Sequence, residues 1–272
     1  MPYFDVREDG LDVGSEDFSP DDVARPVVAY GGDMVTRGTE LAVHAHARAQ
    51  LVLTLRGVVR CETDEGVWIV PPRCAVWIPG GVAHSVTLAG NVRVYCLFVE
   101  PGASLVLPRQ CCTLSVSPLL QQLVLKVAQM PALYDLDGAD GRIVSVLLDQ
   151  LGVAPVEKLY FPMPAHPKLR QIAIAMMAQP ADRATIADWS RRVGVAPRTL
   201  TRLLQRETGM SFGRWRQQLH ILVALKRLTQ GATVQAVALE LGYENASAFV
   251  TMFRKALGKP PARYMVERQL NA

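Results

Sequence analysis

The spacing of apolar and polar positions changes near the middle of the chain. Between Val27 and Val99, short β-branched and apolar segments alternate with glycine and proline, which predicts several strands and hence an all-β sandwich or barrel. Residues 1–25 show no period and are expected to form a loosely packed arm, and residues 101–116 are expected to lie outside the barrel. The segments expected as strands are 26–30, 50–57, 57–63, 66–70, 75–79 and 92–99.

Helical spacing begins after the strand segments. In 119–128 and 142–151, leucine and other apolar residues recur every three or four positions, which predicts two amphipathic helices. Three prolines in 160–167 predict a stiff, extended linker between two parts of the chain.

A helix–turn–helix pattern follows this linker. Thr185 is expected to begin a helix, Gly194 to turn the chain, and Pro197 to open a second helix at a favoured first-turn position. Gly209 is expected to end that second helix, so the first unit covers about 185–207.

The same pattern recurs nearer the end of the sequence, over about 233–257. An apolar helix, a turn at Gly242–Tyr243 and a second helix capped by Asn245 make up this second unit. Gly258 is expected to end the helix, and Pro260–Pro261 are expected to prevent another helix from starting. A tight turn between two helices, the second with a polar and basic face, is typical of a DNA-binding helix-turn-helix.

The two units are joined by a long helix expected over 212–229, and they end in the motif Phe-x-x-x-Phe-Arg-Lys-x-x-Gly-x-x-Pro-x-x-Tyr. Residues 166–268 therefore resemble the DNA-binding domain of the AraC/XylS family of bacterial transcription regulators. The resemblance implies double-stranded promoter or operator DNA as a partner, a homodimer, and RNA polymerase as a partner if the protein is an activator. It also implies dimer contacts by the helical pair in 116–159, although helices that only cover the barrel explain the same pattern.

Charge is distributed unevenly between the two parts. Residues 166–272 contain 17 Lys and Arg against 6 Asp and Glu, a net charge of +11, whereas residues 1–165 contain 12 against 19, a net charge of −7. A basic part beside an acidic part favours nucleic-acid binding by the first and a different ligand for the second.

Three histidines and a glutamine mark a candidate site in the acidic part. His44 and His46 share one face of a strand because the side-chain period is two, and Gln50 and His84 follow within the next strands. Residues 38–88 resemble the two motifs of the cupin family, whose barrel holds a metal ion between such residues.

The match to the cupin motifs is incomplete. Gln50 stands where the family has a glutamate, Arg73 replaces a glycine, and Leu88 replaces an asparagine. Three imidazoles and an amide oxygen can still hold zinc, nickel, iron or manganese. A metal-free effector pocket built from the same residues, or histidines with purely structural hydrogen bonds, remain alternatives. Side chains considered as flanking this site are Arg48, Arg56, Trp68 and Trp77.

Exposed positions on the two predicted recognition helices are candidate DNA contacts. Arg198, Thr201 and Arg202 are expected at base edges, because arginine pairs bidentately with guanine. We expect base selectivity to depend mainly on this first helix, because the contact positions of the second carry few long donors. The further candidates are Thr199, Gln205, Asn245, Ala246, Ser247, Thr251 and Arg254. Arginines expected to be solvated or to face phosphates are Arg191, Arg192, Arg206, Arg214 and Arg216.

These patterns predict an α+β multidomain protein: an all-β cupin-like barrel with a helical appendage, followed by an all-α tandem helix-turn-helix domain. The expected function is transcription regulation controlled by a small molecule or metal, and not enzymatic activity. The alternative is a metal-dependent cupin enzyme, a dioxygenase or isomerase, tethered to DNA. Without an 18-residue apolar run or a signal-peptide segment, the chain is expected to be cytoplasmic. The expected ranges are an arm at 1–25, the barrel at 26–115, the helical pair at 116–159, the linker at 160–167 and the DNA-binding domain at 168–268.

Overall fold

The computed structural model describes residues 19–157 and 159–269, so most of the predicted arm at 1–25 lies outside the described residues. Of that arm, a short 3-10 helix is seen at Pro20–Asp22. The Asp21 carboxylate accepts hydrogen bonds from the backbone N–H groups of Ala47 and Arg48, at 2.7 and 3.0 Å. These contacts anchor the described end of the arm next to the turn that carries His46.

The chain divides into two compact units. The first contains the described residues of 1–61 and 70–158, and the second contains those of 62–69 and 159–270. An antiparallel sheet in the first unit and a helical second unit agree with the predicted fold class. The strands are β1 (Val27–His44), β2 (Ala49–Thr63), β3 (Gly66–Val70), β4 (Cys74–Ile78), β5 (His84–Val99), β6 (Cys112–Ser115), β7 (Val156–Glu157) and β8 (Tyr160–Pro162).

In the first unit the strands lie in the order β1-β5-β2-β4-β6-β7, so the described sheet has two ends and is not a closed barrel. The segments predicted as 50–57 and 57–63 form one strand, because Gly57 adopts a left-handed φ of 79° that lets the chain bend without breaking. The prediction that residues 101–116 leave the sheet is wrong for Cys112–Ser115, which pairs with β4. This strand is only four residues long, which is too short to show a clear alternation of apolar and polar residues.

Two helices pack on one face of this sheet, as their spacing predicts. They are α1 (Pro118–Ala128), capped by the Ser117 side chain, and α2 (Ala139–Gly152). Alternate strand positions such as Leu51, Leu53 and Trp77 point toward them and form a continuous core. The residues that alternate with these positions point to the opposite face of the sheet, and Gln50 is one of them.

The second unit contains seven helices within the described residues, and both predicted helix–turn–helix patterns are present. Gly194 and Gly209 adopt left-handed conformations that end α4 and α5, and Asn245 caps α8. The helices are α3 (Pro167–Ala178), α4 (Ile186–Val193), α5 (Pro197–Thr208), α6 (Phe212–Thr229), α7 (Val234–Glu240), α8 (Ala246–Leu257) and α9 (Pro261–Gln269).

The prediction that Pro260–Pro261 prevent a further helix is wrong, because α9 begins at Pro261. Proline is unfavourable inside a helix but favourable in its first turn, where its missing N–H would have no partner anyway. Tyr264 on α9 then packs edge-on against Phe253, at 5.6 Å between ring centroids.

Part of the predicted linker at 160–167 is a strand. β8 pairs antiparallel with β3, and Phe161 stacks on Trp215 of α6 at 5.0 Å between ring centroids. The indole Nε1–H of Trp215 donates to the Pro162 carbonyl at 3.0 Å. Residues 62–69 thus fold with the helical unit, although they lie between strands of the first unit in the sequence. No helix among the described residues is long and apolar enough to cross a membrane.

Candidate functional site

The four residues predicted for the effector site come together. His44 at the end of β1 pairs in register with His84 at the start of β5, and their ring centroids are 4.4 Å apart. The ring of His46, in the turn before β2, lies 5.2 Å from that of His84. One ring nitrogen from each of the three histidines lies within 4.8 Å of the others, a spacing that a single metal ion could bridge.

Backbone carbonyls orient all three rings. The Nδ1 atoms of His44, His46 and His84 lie 2.8, 2.6 and 2.8 Å from the carbonyl oxygens of Ala42, Arg48 and Val82 respectively. Since a carbonyl oxygen only accepts, each Nδ1 carries a proton, and in the neutral form of each ring Nε2 keeps its lone pair. A carbonyl that fixes the tautomer in this way is the usual support of a metal-binding histidine.

Gln50 contributes a further acceptor to the same point. Its Oε1 lies 2.8 Å from Nε2 of His84 and 3.3 Å from Nε2 of His46. Its amide group donates to the sulfur of Cys96, which orients the oxygen toward the histidines. In the neutral form of both rings, their Nε2 lone pairs face the Gln50 oxygen, and a cation bound by all three atoms would stabilise this arrangement.

The cluster is buried at one side and open at the other. His84 and Gln50 are almost fully buried, whereas the His44 side chain is exposed. Burial lowers the pKa of His84 to about 4, so its ring is neutral near pH 7. Burial also raises the pKa of the Cys96 thiol to about 12, so Cys96 acts as a neutral partner of Gln50.

An aromatic wall beside the histidines was not predicted. The Phe98 ring lies 5.0 Å from that of His46, and Tyr30 stacks on Phe98 at 5.3 Å. Two-residue alternation places Cys96 and Phe98 on one face of β5, but the sequence does not specify that β5 pairs with β1.

The four side chains expected to flank this cluster make contacts elsewhere in the protein. Arg48 donates to the carbonyls of Val23 and Arg25, and Arg56 pairs with Asp33 on the surface. Trp77 belongs to the core under the helices, with its Nε1–H bonded to Pro108, while Trp68 stacks on Tyr160 in the second unit.

The first recognition helix, α5, presents unengaged cations. Arg198 and Arg202 are exposed, and neither has a hydrogen-bond or ion-pair partner through its side chain among the described residues. Gln205 is also exposed and Thr199 is half-buried. The Thr201 hydroxyl donates to the Pro197 carbonyl at 2.9 Å, so only its acceptor capacity remains available.

The second recognition helix, α8, offers shorter side chains. Ser247 and Thr251 are exposed, as is Arg254, while Ala246 is half-buried. The Asn245 side chain accepts from the Ala248 N–H at 2.9 Å, so its oxygen already caps the helix.

Most of the arginines predicted to be solvated or to face phosphates make hydrogen bonds or ion pairs within the protein. Arg191 pairs with Asp188, Arg192 with Asp182 at 2.6 Å, and Arg206 lies 3.7 Å from Glu207. Arg216 donates to the Ala184 carbonyl, whereas Arg214 is exposed without such a partner in the described part of the chain. Arginines held by such contacts are less free to reach base edges than Arg198 and Arg202.

Comparisons with known proteins agree with both parts of this description. The family model described as AraC-like ligand binding domain matches residues 36–150, and the helix-turn-helix domain model matches residues 189–266. The HTH-type transcriptional regulator NimR of Escherichia coli K12 is 39% identical over 248 residues, which cover 91% of this chain and 90% of NimR. The HTH-type transcriptional regulator RipA of Corynebacterium glutamicum is 31% identical over 103 residues, covering 38% of this chain and 31% of RipA.

Solved structures of the same general kind are more distant. ToxT from Vibrio cholerae with a bound unsaturated fatty acid is 10% identical and covers 88% of this chain and 95% of its own, with a TM-score of 0.37. The DNA-binding domain of AdpA in complex with a target DNA is 23% identical and covers 37% of this chain and 91% of its own, with a TM-score of 0.35. The two family matches and the identity to NimR over most of both chains lead to one conclusion: the chain belongs to the AraC family of HTH-type transcription regulators, with a ligand-binding domain and a DNA-binding helix-turn-helix domain.

Proposed function

We propose that the effector of this regulator is a divalent metal ion held by His44, His46 and His84 together with Gln50. The observation that carries the proposal is the shared orientation of the rings, since every Nδ1 is bonded to a backbone carbonyl and leaves Nε2 as the ligand atom. Nε2 of the neutral His84 ring and the Gln50 oxygen also lie 2.8 Å apart, and two acceptors at this distance repel each other unless both bind the same cation.

The ligand chemistry favours a borderline metal. Three imidazole nitrogens suit zinc, nickel or iron better than calcium or magnesium, and the amide oxygen completes four ligands. All four ligands are neutral, so the ion keeps its full charge, and we expect reversible binding suited to sensing. The exposed side chain of His44 gives the ion an entry path from solvent.

Metal binding would act on transcription through DNA affinity. An ion shifts a conformational equilibrium only by its different affinity for the two states, so the ligand-binding domain must hold it more tightly in one of them. We further propose that the protein acts as a homodimer in the cytoplasm, and that it contacts RNA polymerase if it activates. Exposed apolar residues on and after α1 and α2, Leu119, Val146 and Val153, supply surface for subunit contacts.

Isothermal titration of the chelator-treated full chain with zinc, nickel, iron(II) and manganese tests the site. We expect one metal per chain for at least one of these ions, and at least a tenfold loss of affinity, about 1.4 kcal/mol, in His44→Gln. His44 is exposed, so this substitution does not endanger the fold. His166→Gln is the matched control, because His166 lies before α3 and outside the cluster. Equal affinities in His44→Gln and wild type would exclude the metal site and leave a metal-free effector pocket.

A further inference from the structure

A groove lies between the linking helix α6 and the recognition helix α8. Its volume is about 410 Å³, and its lining includes Gly213, Arg216 and Gln217 from α6 and Thr251 and Lys255 from α8. Thr251 and Lys255 are exposed and four residues apart, so they lie on one face of α8. The groove therefore opens beside a face of the helix that is expected to contact DNA.

The charged groups of the groove are all basic. Arg216 and Lys255 line it, and its described lining contains no aspartate or glutamate. Lys255 has no hydrogen-bond or ion-pair partner for its side chain among the described residues. Asp182, whose charge acts on Arg216, is itself paired with Arg192. Within the part of the chain that the structure describes, neither Lys255 nor Arg216 therefore forms an ion pair with a carboxylate.

Arg216 is held rigidly at the groove. Its guanidinium lies 4.7 Å from the centre of the Phe212 ring and donates to the Ala184 carbonyl. Its Nε is enclosed, without a hydrogen-bond partner. A guanidinium fixed in this way loses little side-chain entropy when it meets an oxyanion.

We propose that this groove binds a phosphate group of the DNA backbone next to the segment contacted by α8. Gln217 and Thr251 supply neutral hydrogen-bond donors, while Arg216 and Lys255 supply charge. A phosphate contact fixes the position of the protein on the duplex without selecting bases. The groove would hold the second helix-turn-helix on DNA, and residues of α6 would thereby take a direct part in DNA binding.

Substitutions of Gly213 can test whether the groove binds a phosphate. Gly213 lies in the first turn of α6, and a Cβ added there meets no atom within 4 Å, so a longer side chain fits. A glutamate in a first helical turn favours the helix dipole, so Gly213→Glu should fold at least as well as wild type. Its carboxylate would nevertheless repel a phosphate in the groove. Gly213→Gln is the matched control, with the same size and no charge.

Affinity is measured by fluorescence anisotropy with a 40-bp duplex selected from a random library by the wild-type protein. We expect Gly213→Glu to bind about tenfold more weakly than Gly213→Gln at 0.1 M salt, with a smaller difference at 0.5 M because salt screens the repulsion. Gln217→Lys should bind more tightly and steepen the dependence of log K on log salt by about one unit. The losses should be equal on sequence variants of the duplex.

A second control separates this local effect from net charge. Gln230→Glu changes the charge by the same amount at the C-cap of α6, about 25 Å from Gly213 along the helix axis. We expect it to weaken binding less than twofold. Equal affinities for Gly213→Glu and Gly213→Gln, or an equal loss in Gln230→Glu, would overturn the proposal.

Discussion

At the scale of single residues, Gln50 connects the histidines, because its oxygen lies 2.8 Å from Nε2 of His84 and 3.3 Å from Nε2 of His46. The cluster of His44, His46, Gln50 and His84 was predicted from the His-x-His spacing and the resemblance to the cupin motifs, and these side chains do lie together. The expected shared strand face of His44 and His46 was wrong, because β1 ends at His44 and His46 lies in the turn before β2. The contact of Cys96 with Gln50 could not be predicted, because it depends on which strands pair. The contact positions on α5 and α8 were likewise predicted, but their use in DNA recognition stays a prediction.

Base selectivity should differ between the two recognition helices. Arg202 is exposed and has no partner for its side chain among the described residues, whereas Thr251 is a short side chain. Arg202→Ala should therefore relax preference at one or two base pairs, with a loss of about 1–3 kcal/mol on the preferred duplex, because one bidentate contact is removed. Thr251→Ala should weaken binding without changing preference. Affinities for single-base variants of the selected duplex measure both effects, and a larger loss of preference in Thr251→Ala would contradict the hypothesis.

At the scale of elements, local sequence patterns predicted the helices well and the short strands poorly. Capping residues and left-handed glycines define the ends of α4, α5 and α8, and these lie where the sequence predicts. β6 and β8 are three or four residues long and depend on pairing with distant segments, so no local period indicates them. The prediction for Pro261 was wrong because proline is unfavourable inside a helix but favourable at its first position, which is where α9 begins.

His220 joins three parts of the helical unit and should make its stability depend on pH. Its Nε2 donates to the Pro180 carbonyl and its Nδ1 accepts from the Tyr243 hydroxyl, each at 3.0 Å, so the neutral ring is fully bonded. Burial lowers its pKa to about 4 from an ordinary value of 6.5. The unfolded chain therefore takes up a proton between pH 6.5 and 4 that the folded chain refuses, and stability falls over that range by up to about 3 kcal/mol.

Hydrogen exchange of the α6 amides, read by mass spectrometry between pH 7 and 4.5, measures this loss. His220→Gln keeps a donor and an acceptor but does not titrate, so its free energy of opening should fall less than that of the wild type. A parallel decline in both proteins would show that His220 is not the source.

At the scale of the whole molecule, net charge and fold divide the chain in nearly the same way, into a DNA-binding part and a ligand-binding part. The basic net charge lies in the sequence that forms the helix-turn-helix domain, and the acidic net charge lies in the sequence that forms most of the ligand-binding domain. The distribution of charge along the sequence therefore predicted that one part binds DNA and the other binds a different ligand. It did not predict that residues 62–69 fold with the helical unit, because their strand pairs with β8, almost a hundred residues away.

The most direct test of the account is the DNA affinity of the full chain with and without the metal that titration identifies. Fluorescence anisotropy with the selected duplex would be measured in chelator and again with a slight excess of the ion. The account predicts at least a fivefold change for the wild type, about 1 kcal/mol of coupling, and no change for His44→Gln. A wild-type protein that binds the ion at the histidine cluster yet has the same DNA affinity in both buffers would contradict the claim that this site controls the regulator.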